Sequence, residues 1–260
     1  MRTRYSAWIN GQGLQDIDDS IYIVDIVEQE PDTEIMKTER SMGSGTHFLR
    51  VNRHSLTVVI RFAVRERDPA RRASVVERIR GWAQSGYLTL SDKPGRRLYV
   101  VCDRFPVGSS MRWADTLEIS LTGYDVPWWE DEREETVTIT PHLTSNDLYS
   151  GNGAIFMPGY VSSPANAVMT AKGNVNSFRI TRGDGRVIRF ENLGMESGDV
   201  FTVSHDERGI VAFAVNGESV MDKRTASSDD ELTLDPGNNK VYTHGDGDYI
   251  ARIYGRGRYL

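Results

Sequence analysis

The sequence predicts a mainly β protein with one helix, built from an N-terminal domain over residues 1–129 and a C-terminal domain over residues 130–260. The first half contains a single stretch with helical spacing of its apolar residues. The second half consists of short alternating apolar runs separated by turn residues, as in antiparallel β proteins. Between the halves lies the acidic run Glu130–Glu135, which is expected to remain in solvent and to mark the boundary.

The helix follows a strand in the first half. Residues Leu56–Val64 alternate between large apolar and mostly smaller or polar side chains, the period of a half-buried strand. Asp68 then offers an N-cap and Pro69 suits the first helical position. The apolar spacing predicts a helix over Pro69–Gln84, with Gly86 placed to form a left-handed C-terminal stop. The N-terminal domain is therefore predicted to be a β barrel or sandwich packed by a single α-helix.

Further strands are predicted on either side of this unit. They are Ile21–Val27, Phe48–Val51, Leu98–Cys102 and Thr116–Thr122. The polar segment Glu28–Gly45 is too long for a tight turn, and it is predicted to form a long loop or a projecting hairpin arm.

The C-terminal domain is predicted to be an antiparallel sandwich because many short strands recur with regular turn signals. The strands are Glu135–Thr140, Ala154–Met157, Ala167–Ala171, Phe178–Thr181, Val187–Phe190, Val200–Ser204, Ile210–Val215 and Tyr249–Tyr254. Asn216-Gly217 is a strong two-residue hairpin turn, and Gly183-Asp184-Gly185 is a second turn signal.

Composition excludes several functional classes. The chain of 260 residues has a formal net charge of -6, with net +1 in residues 1–128 and net -7 in residues 129–260. No dense basic patch predicts sequence-specific nucleic-acid binding, and no apolar run is long enough to predict a membrane span. The single Cys102 excludes an internal disulfide framework and a cysteine-rich zinc site, and the N-terminus lacks the apolar core of a secretory signal. Cytosolic assembly is the simplest prediction.

Motifs for catalysis or cofactor binding are absent from the sequence. There is no nucleophile elbow, phosphate-binding loop or dinucleotide fingerprint, so no cofactor is predicted. No two of the five histidines have metal-ligand spacing on one element, so no metal site is predicted. The segment His244–Asp248 resembles a calcium loop but lacks the downstream glutamate, which favours a glycine-rich turn. Arg182-Gly183-Asp184 is interpreted as a hairpin turn.

Two arginines of the helix stand out as candidates for contact with a partner. Arg71 and Arg72 lie in the first turn, where the helix dipole disfavours cations by about 0.3–1 kcal/mol each. Local pairing with Glu66, Asp68 or Glu77 would explain them. The alternative hypothesis is that at least one faces an acidic partner or a neighbouring subunit.

The order of elements resembles a known family. A hairpin-like arm precedes Gly43-Ser44-Gly45, and the alternating strand leads through Asp68-Pro69 into one helix that ends near Trp82. The segments that follow are Gly86–Leu90, Ser91–Gly95 and Arg97–Asp103. This succession is similar to the N-terminal domain of siphovirus distal tail proteins, where the helix packs on a small barrel related to tail-tube proteins. The segment Leu232–Val241 resembles the closing signature of the family's C-terminal sandwich.

The resemblance implies a structural role without enzymatic activity. The N-terminal domains would form a homo-hexameric ring at the virion tail tip, assembled in the host cytoplasm, and the C-terminal domain would be a galectin-like sandwich. The ring would join the tail-tube protein to the tail-associated hub or lysin protein and could carry a receptor-binding protein. Because obligate rings bury apolar interfaces, Met42, Phe48 and Tyr87 join Arg71 and Arg72 as candidate interface residues.

Two rival functions stay open at the sequence level. The first is a carbohydrate-binding module for host cell-wall glycans, with Tyr160, Phe178, Tyr249 and Tyr254 as candidate aromatics. The sugar-binding constellation of galectins has no counterpart here, because residues 131–260 contain no tryptophan. The second rival is a β-sandwich hydrolase, which would need two carboxylates facing each other across a cleft.

Overall fold

A computed structural model describes residues 5–29, 32–39, 46–105, 116–146, 148–206 and 209–259. The chain divides into two compact units, Met1–Trp129 and Glu130–Leu260. Within the described ranges most residues lie in antiparallel strands and Pro69–Trp82 is the one α-helix, which confirms the predicted mainly β fold with a single helix. That helix is too short and too polar to cross a membrane.

The first unit is built on one antiparallel sheet. Its elements are β1 (Ala7–Ile9), β2 (Gln12–Gly13), β3 (Ile21–Glu28), β4 (Asp32–Glu39), β5 (Thr46–Val64), α1 (Pro69–Trp82), β6 (Gly86–Leu90), β7 (Arg96–Arg104) and β8 (Thr116–Gly123). The sheet order is β2-β1-β6-β7-β8-β5-β3. A 3-10 turn over Leu14–Asp16 contacts β1 and β3, and Leu14 is fully buried, so the sheet curls back on itself around the core.

Helix α1 begins where the sequence predicts. The Asp68 side chain accepts a hydrogen bond from the Ala70 N–H at 3.0 Å, which satisfies one of the free amides of the first turn. One face of the helix is buried, and the Trp82 indole N–H donates to the carbonyl of Gln12 at 2.6 Å. The last turn of the helix is therefore held against β2.

The predicted left-handed stop at Gly86 is wrong. The helix ends at Trp82, and Gly86 is already the first residue of β6. Glycine leaves room there for a neighbouring side chain, because an added Cβ would lie 2.4 Å from the side-chain amide of Asn10 and would force it to move. That amide accepts a hydrogen bond from the Tyr87 N–H at 2.9 Å, which joins the first turn of the chain to β6.

The predicted strands Phe48–Val51 and Leu56–Val64 are one continuous strand of 19 residues, β5. Its second half pairs with β3 and β8 inside the sheet, and its first half pairs with β4. The polar stretch between the two predicted strands stays extended because its backbone forms hydrogen bonds with β4, which do not require a buried face. Of the two alternatives for Glu28–Gly45, the hairpin arm is confirmed over the described residues.

The second unit is a two-layer sandwich. Its strands are β10 (Glu135–Ile139), β11 (His142–Leu143), β12 (Tyr149–Met157), β13 (Ser163–Pro164), β14 (Asn166–Ala171), β15 (Phe178–Arg182), β16 (Val187–Phe190), β17 (Val200–His205), β18 (Val211–Val215), β19 (Glu218–Ser219), β20 (Thr233–Leu234), β21 (Gly237–Gly245), β22 (Tyr249–Gly255) and β23 (Arg258–Tyr259), after β9 (Trp129–Asp131) at the unit boundary. Two antiparallel sheets have the orders β10-β22-β14-β17-β18-β19 and β11-β12-β21-β15-β16.

Aromatic side chains from both sheets fill the core between the layers. Phe178 and Phe190 of the five-stranded sheet contact Phe201 of the six-stranded sheet, with ring centroids 5.7 and 4.9 Å away. Such edge-to-face pairs stabilise the core beyond the burial of their area. This interdigitation confirms the predicted antiparallel sandwich.

The late segment Leu232–Val241 has a clear structural reason for its residue types. Leu232 and Leu234 are buried in the core, and Gly237 has a φ of +94° that disfavours other residues. The buried Asn239 side chain accepts from the Asp235 N–H at 2.9 Å and donates to the Asp235 carbonyl at 2.7 Å. It thereby holds the turn that leads into β21.

Candidate assembly interface

Strand β4 and the first half of β5 form a two-stranded ribbon. The register runs from Asp32 opposite Ser55 to Glu39 opposite Thr46 and contains two bulges. Eight residues of strand extend about 26 Å, since each residue advances roughly 3.3 Å. Within the described residues, β4 pairs with β5 alone and this half of β5 pairs with β4 alone. Both long edges of the ribbon therefore present backbone groups that other strands can bind.

The exposed surface of the ribbon includes a large aliphatic side chain. Ile35 in β4 is 62% exposed, the largest exposure among aliphatic side chains in the described part of the chain. Isolated two-stranded ribbons are marginally stable in water. A ribbon with free edges and an exposed isoleucine is suited to pairing with another chain.

The base of the ribbon is held by a polar cluster. Glu28, the last residue of β3, accepts a hydrogen bond from the indole N–H of the fully buried Trp129. Lys93 forms an ion pair with the same carboxylate at 2.9 Å and lies 5.1 Å from the centroid of the Trp129 ring. The buried Trp129 thus fixes the end of β3, the strand that precedes the ribbon.

The candidate interface residues fall at three separate places. Met42 lies outside the described residues, and Phe48 belongs to the ribbon strand β5, in register with Lys37. Tyr87 lies in β6 beyond the far end of α1, packed edge-to-face on Tyr99 at 5.3 Å. Because a helix of this length spans about 20 Å, Tyr87 and the arginines at the helix start do not form one patch.

The two helix arginines both contact Glu66, two residues before the cap Asp68. Arg71 forms an ion pair with the Glu66 carboxylate at 3.2 Å, and Arg72 donates to the Glu66 carbonyl at 2.9 Å. These contacts offset the unfavourable dipole of the first turn, and they match the local pairing that the sequence offered. Arg71 remains mostly exposed and therefore stays available to a partner.

The motifs that were interpreted as turns have structural roles. Arg182 is 6% exposed and bonds the carboxylates of Asp184 and Asp235. The guanidinium holds the pKa of Asp184 at about 2 and lowers that of Asp235, for which the first cause is a hydrogen bond from Ser162. Asp246 accepts hydrogen bonds from the backbone amides at 176 and 177, so it stabilises a turn. Over the described residues, no group of three or more His, Cys, Asp or Glu side chains could hold a metal ion.

The aromatics named for glycan binding do not share a surface. Phe178 and Tyr249 are buried in the core, so this part of the prediction is wrong for them. Strand parity explains the error, because both residues point into the sandwich, and the inward face could not be assigned before the strands were paired. Tyr242 is an exposed aromatic on β21 that the sequence analysis missed.

Comparison with known proteins shows which solved structures have a similar fold. No family model matches the sequence, and no curated protein matches it. Among solved structures, the Dit protein of phage SPP1 aligns over 98% of this chain and 99% of its own, with a TM-score of 0.70 and 13% identity. The chain has the fold of SPP1 Dit. That protein is described as a paradigm of the hub adsorption apparatus in phages that infect Gram-positive bacteria.

Two further structures share the Dit fold more distantly. Chains from the phage P2 baseplate in its activated conformation, with Ca and with Sr, align over 99% and 97% of this chain with TM-scores of 0.51 and 0.51. The two alignments cover 98% and 97% of the baseplate chains, at 6% and 5% sequence identity. Both units of the chain thus take part in the similarity to Dit and to the baseplate chains.

Proposed function

We propose that this chain is a structural subunit of the tail tip of a siphophage. The observation that carries the proposal is the Dit fold, which extends over nearly the whole of both chains. In this proposal the Met1–Trp129 unit forms a homo-hexameric ring, and the Glu130–Leu260 unit is a galectin-like domain. The ring joins the tail-tube protein to the tail-associated hub or lysin protein, and it acts by assembly rather than by catalysis.

The ribbon supports ring formation because every copy of the chain has the same free strand edges, and each copy can therefore pair with its neighbour in the same way. In a head-to-tail contact each subunit uses two different surfaces, and the contacts close into a ring when the rotation divides a full turn. A ribbon that reaches a neighbour and pairs there would satisfy its own backbone groups and remove the aggregation hazard of an exposed edge. The exposed Ile35 would become buried in the same contact.

Assembly of the purified full chain tests this proposal. Light scattering measures the mass and negative-stain microscopy shows the particle shape, and we expect hexameric rings. Ile35→Asp should shift the population to monomers, because a buried charge without a partner destabilises an interface by several kcal/mol. Its circular dichroism spectrum as a monomer should match that of the unchanged chain, which would show that the subunit itself stays folded.

Ile210→Asp is the matched control, because Ile210 is 60% exposed in the second unit. It should leave the rings intact. A monodisperse monomer of the unchanged chain at high concentration, which also fails to join assembling tails, would contradict the proposal.

A further inference from the structure

The outer face of the five-stranded sheet carries a charge opposite to that of its unit. Glu130–Leu260 contains 13 Lys+Arg and 20 Asp+Glu, a net charge of -7. The strands β11, β12, β21, β15 and β16 nevertheless contain no aspartate or glutamate. Three cations, Arg179, Arg189 and Lys240, occupy exposed positions of these strands. This face is therefore a basic surface on an acidic unit.

Two of these arginines and a histidine form a row across neighbouring strands. Arg189 of β16 is directly opposite Arg179 of β15, and Arg179 is directly opposite His244 of β21. Directly opposed like charges destabilise a sheet, since their Cβ atoms are about 4.5–5.5 Å apart. Burial, and then the charge of Arg179, lower the pKa of His244, which is consequently neutral near pH 7.

The carboxylates of the described residues neutralise only one of the two arginines in this row. Glu191 forms an ion pair with Arg189 at 2.6 Å, beyond the end of β16. No carboxylate of the described residues lies within ion-pair distance of Arg179. Arg179 therefore lies opposite another arginine without a carboxylate partner among the described residues, an arrangement that suits an external anion.

The row borders a depression in the surface. Its volume is about 190 Å³, and its lining includes Arg179, Arg189, His244, Leu148 and Ser177. A water molecule occupies roughly 30 Å³ in the liquid, so a phosphate or carboxylate group together with part of a sugar ring has room here. Guanidinium groups bind such oxyanions through two parallel hydrogen bonds.

The same face carries groups that suit a sugar. Tyr242 follows the row on β21 at the next outward position and is 37% exposed. It is opposite Asn152 on one side and Thr181 on the other. An exposed ring can cover the apolar face of a sugar, and flanking amide and hydroxyl groups can bond its hydroxyls. A peptide made only of acidic residues would use the arginines but offers no flat apolar face to the Tyr242 ring.

The geometry points to a binding site for an acidic polysaccharide on the outer face of the five-stranded sheet. Arg179 and Arg189 hold the phosphate or carboxylate group, and His244 contributes a neutral hydrogen-bonding nitrogen. Tyr242 packs against the adjoining sugar ring. The site is built from residues of the second unit only, and it gives that unit a ligand of its own.

Calorimetric titration of the full chain tests this inference with three probes: dextran phosphate, oligogalacturonate and unmodified dextran. We expect binding of at least one anionic probe, weakened by added salt, and no binding of unmodified dextran. The two anionic probes distinguish a phosphate from a carboxylate ligand. Arg179→Gln combined with Arg189→Gln should weaken binding at least tenfold, and Tyr242→Thr should weaken it severalfold.

The control variant removes the same charge elsewhere in the unit. Arg252→Gln combined with Lys172→Gln changes two exposed cations that lie outside the five-stranded sheet, and it should bind like the unchanged chain. The inference is overturned if neither anionic probe binds, or if the control loses affinity as much as the Arg179 and Arg189 variant. Binding of poly-glutamate that equals the best glycan and ignores Tyr242→Thr would overturn it in favour of an acidic protein partner.

Discussion

At the scale of single residues, the second unit depends on polar side chains that its sheets bury. Arg182 lies at the end of β15 with its guanidinium between two carboxylates, and it also donates to the carbonyl of Thr233 at 2.8 Å. The sequence predicts the turn at Arg182–Asp184 from glycine and aspartate alone. It could not predict the second carboxylate, Asp235, because that residue is 53 positions away and comes close to the arginine only when the sandwich is folded.

The same limit applies to the candidate glycan site. Arg179, Arg189 and His244 are unremarkable in the sequence, since each occupies an outward strand position where polar residues are common. Only the register of β16, β15 and β21 places them side by side. A strand assignment shows that residues alternate between two faces, whereas a site also needs the neighbouring strands that place residues side by side on one face.

The Arg182 cluster predicts a specific dependence of stability on pH. Asp184 has a pKa of about 2 in the folded chain against an ordinary value of 3.8, and that of Asp235 is also lowered. A carboxylate with a lowered folded pKa contributes stability above its ordinary pKa and loses it as the pH falls through the folded value. The thermal midpoint of the second unit should therefore decline between about pH 4 and pH 2.

Arg182→Gln should flatten that decline, chiefly because the folded pKa of Asp184 returns towards the ordinary range, whereas the hydrogen bond from Ser162 continues to lower that of Asp235. It should also reduce the free energy of unfolding at pH 7 by about 1–3 kcal/mol, since buried hydrogen bonds are lost. Thermal melts followed by circular dichroism at several pH values measure both effects. Arg252→Gln, at an exposed position of β22, provides the comparison. A pH profile of Arg182→Gln parallel to that of the unchanged chain would show that the guanidinium does not set the pKa of Asp184.

At the scale of elements, alternation and capping signals were sufficient for most of the fold. The predicted helix begins at the observed residue and extends two residues past the observed end, and Asn216-Gly217 joins β18 to β19 with positive φ at both positions. Such signals work because they record which side chains face the core and where the backbone must reverse. Strand β4 was not assigned from the sequence because it is held by hydrogen bonds to β5, and its sequence lacks the alternation that a buried face would produce.

The helix cap allows an element-scale prediction. Asp68→Ala removes the acceptor of the Ala70 N–H and should destabilise the first unit by about 0.5–2 kcal/mol. Asp68→Asn keeps a capping oxygen and should lower the free energy of unfolding by only a few tenths of a kcal/mol. Urea unfolding followed by tryptophan fluorescence measures the difference, because Trp82 lies at the other end of α1. Equal destabilisation by both substitutions would mean that the charge, and not the cap, is what matters.

At the scale of the whole molecule, the two units have separate sets of core residues. The apolar cluster of the second unit is drawn entirely from residues 139–253. All five tryptophans lie in Met1–Trp129, and Glu130–Leu260 has none. Tryptophan fluorescence therefore reports on the first unit, whereas circular dichroism reports on the strands of both.

This distribution predicts two separable unfolding transitions in urea. Asn239→Ala removes the side chain that holds the turn before β21, and it should lower the free energy of unfolding of the second unit by about 1–3 kcal/mol. The circular dichroism transition of that unit should move to lower urea, and the fluorescence midpoint should stay in place. Asp68→Ala should do the reverse, and Asn238→Ala, at an exposed neighbouring position, should change neither midpoint by more than about 0.5 kcal/mol. If Asn239→Ala shifts both midpoints equally, the two units unfold as one cooperative body and each contributes to the stability of the other.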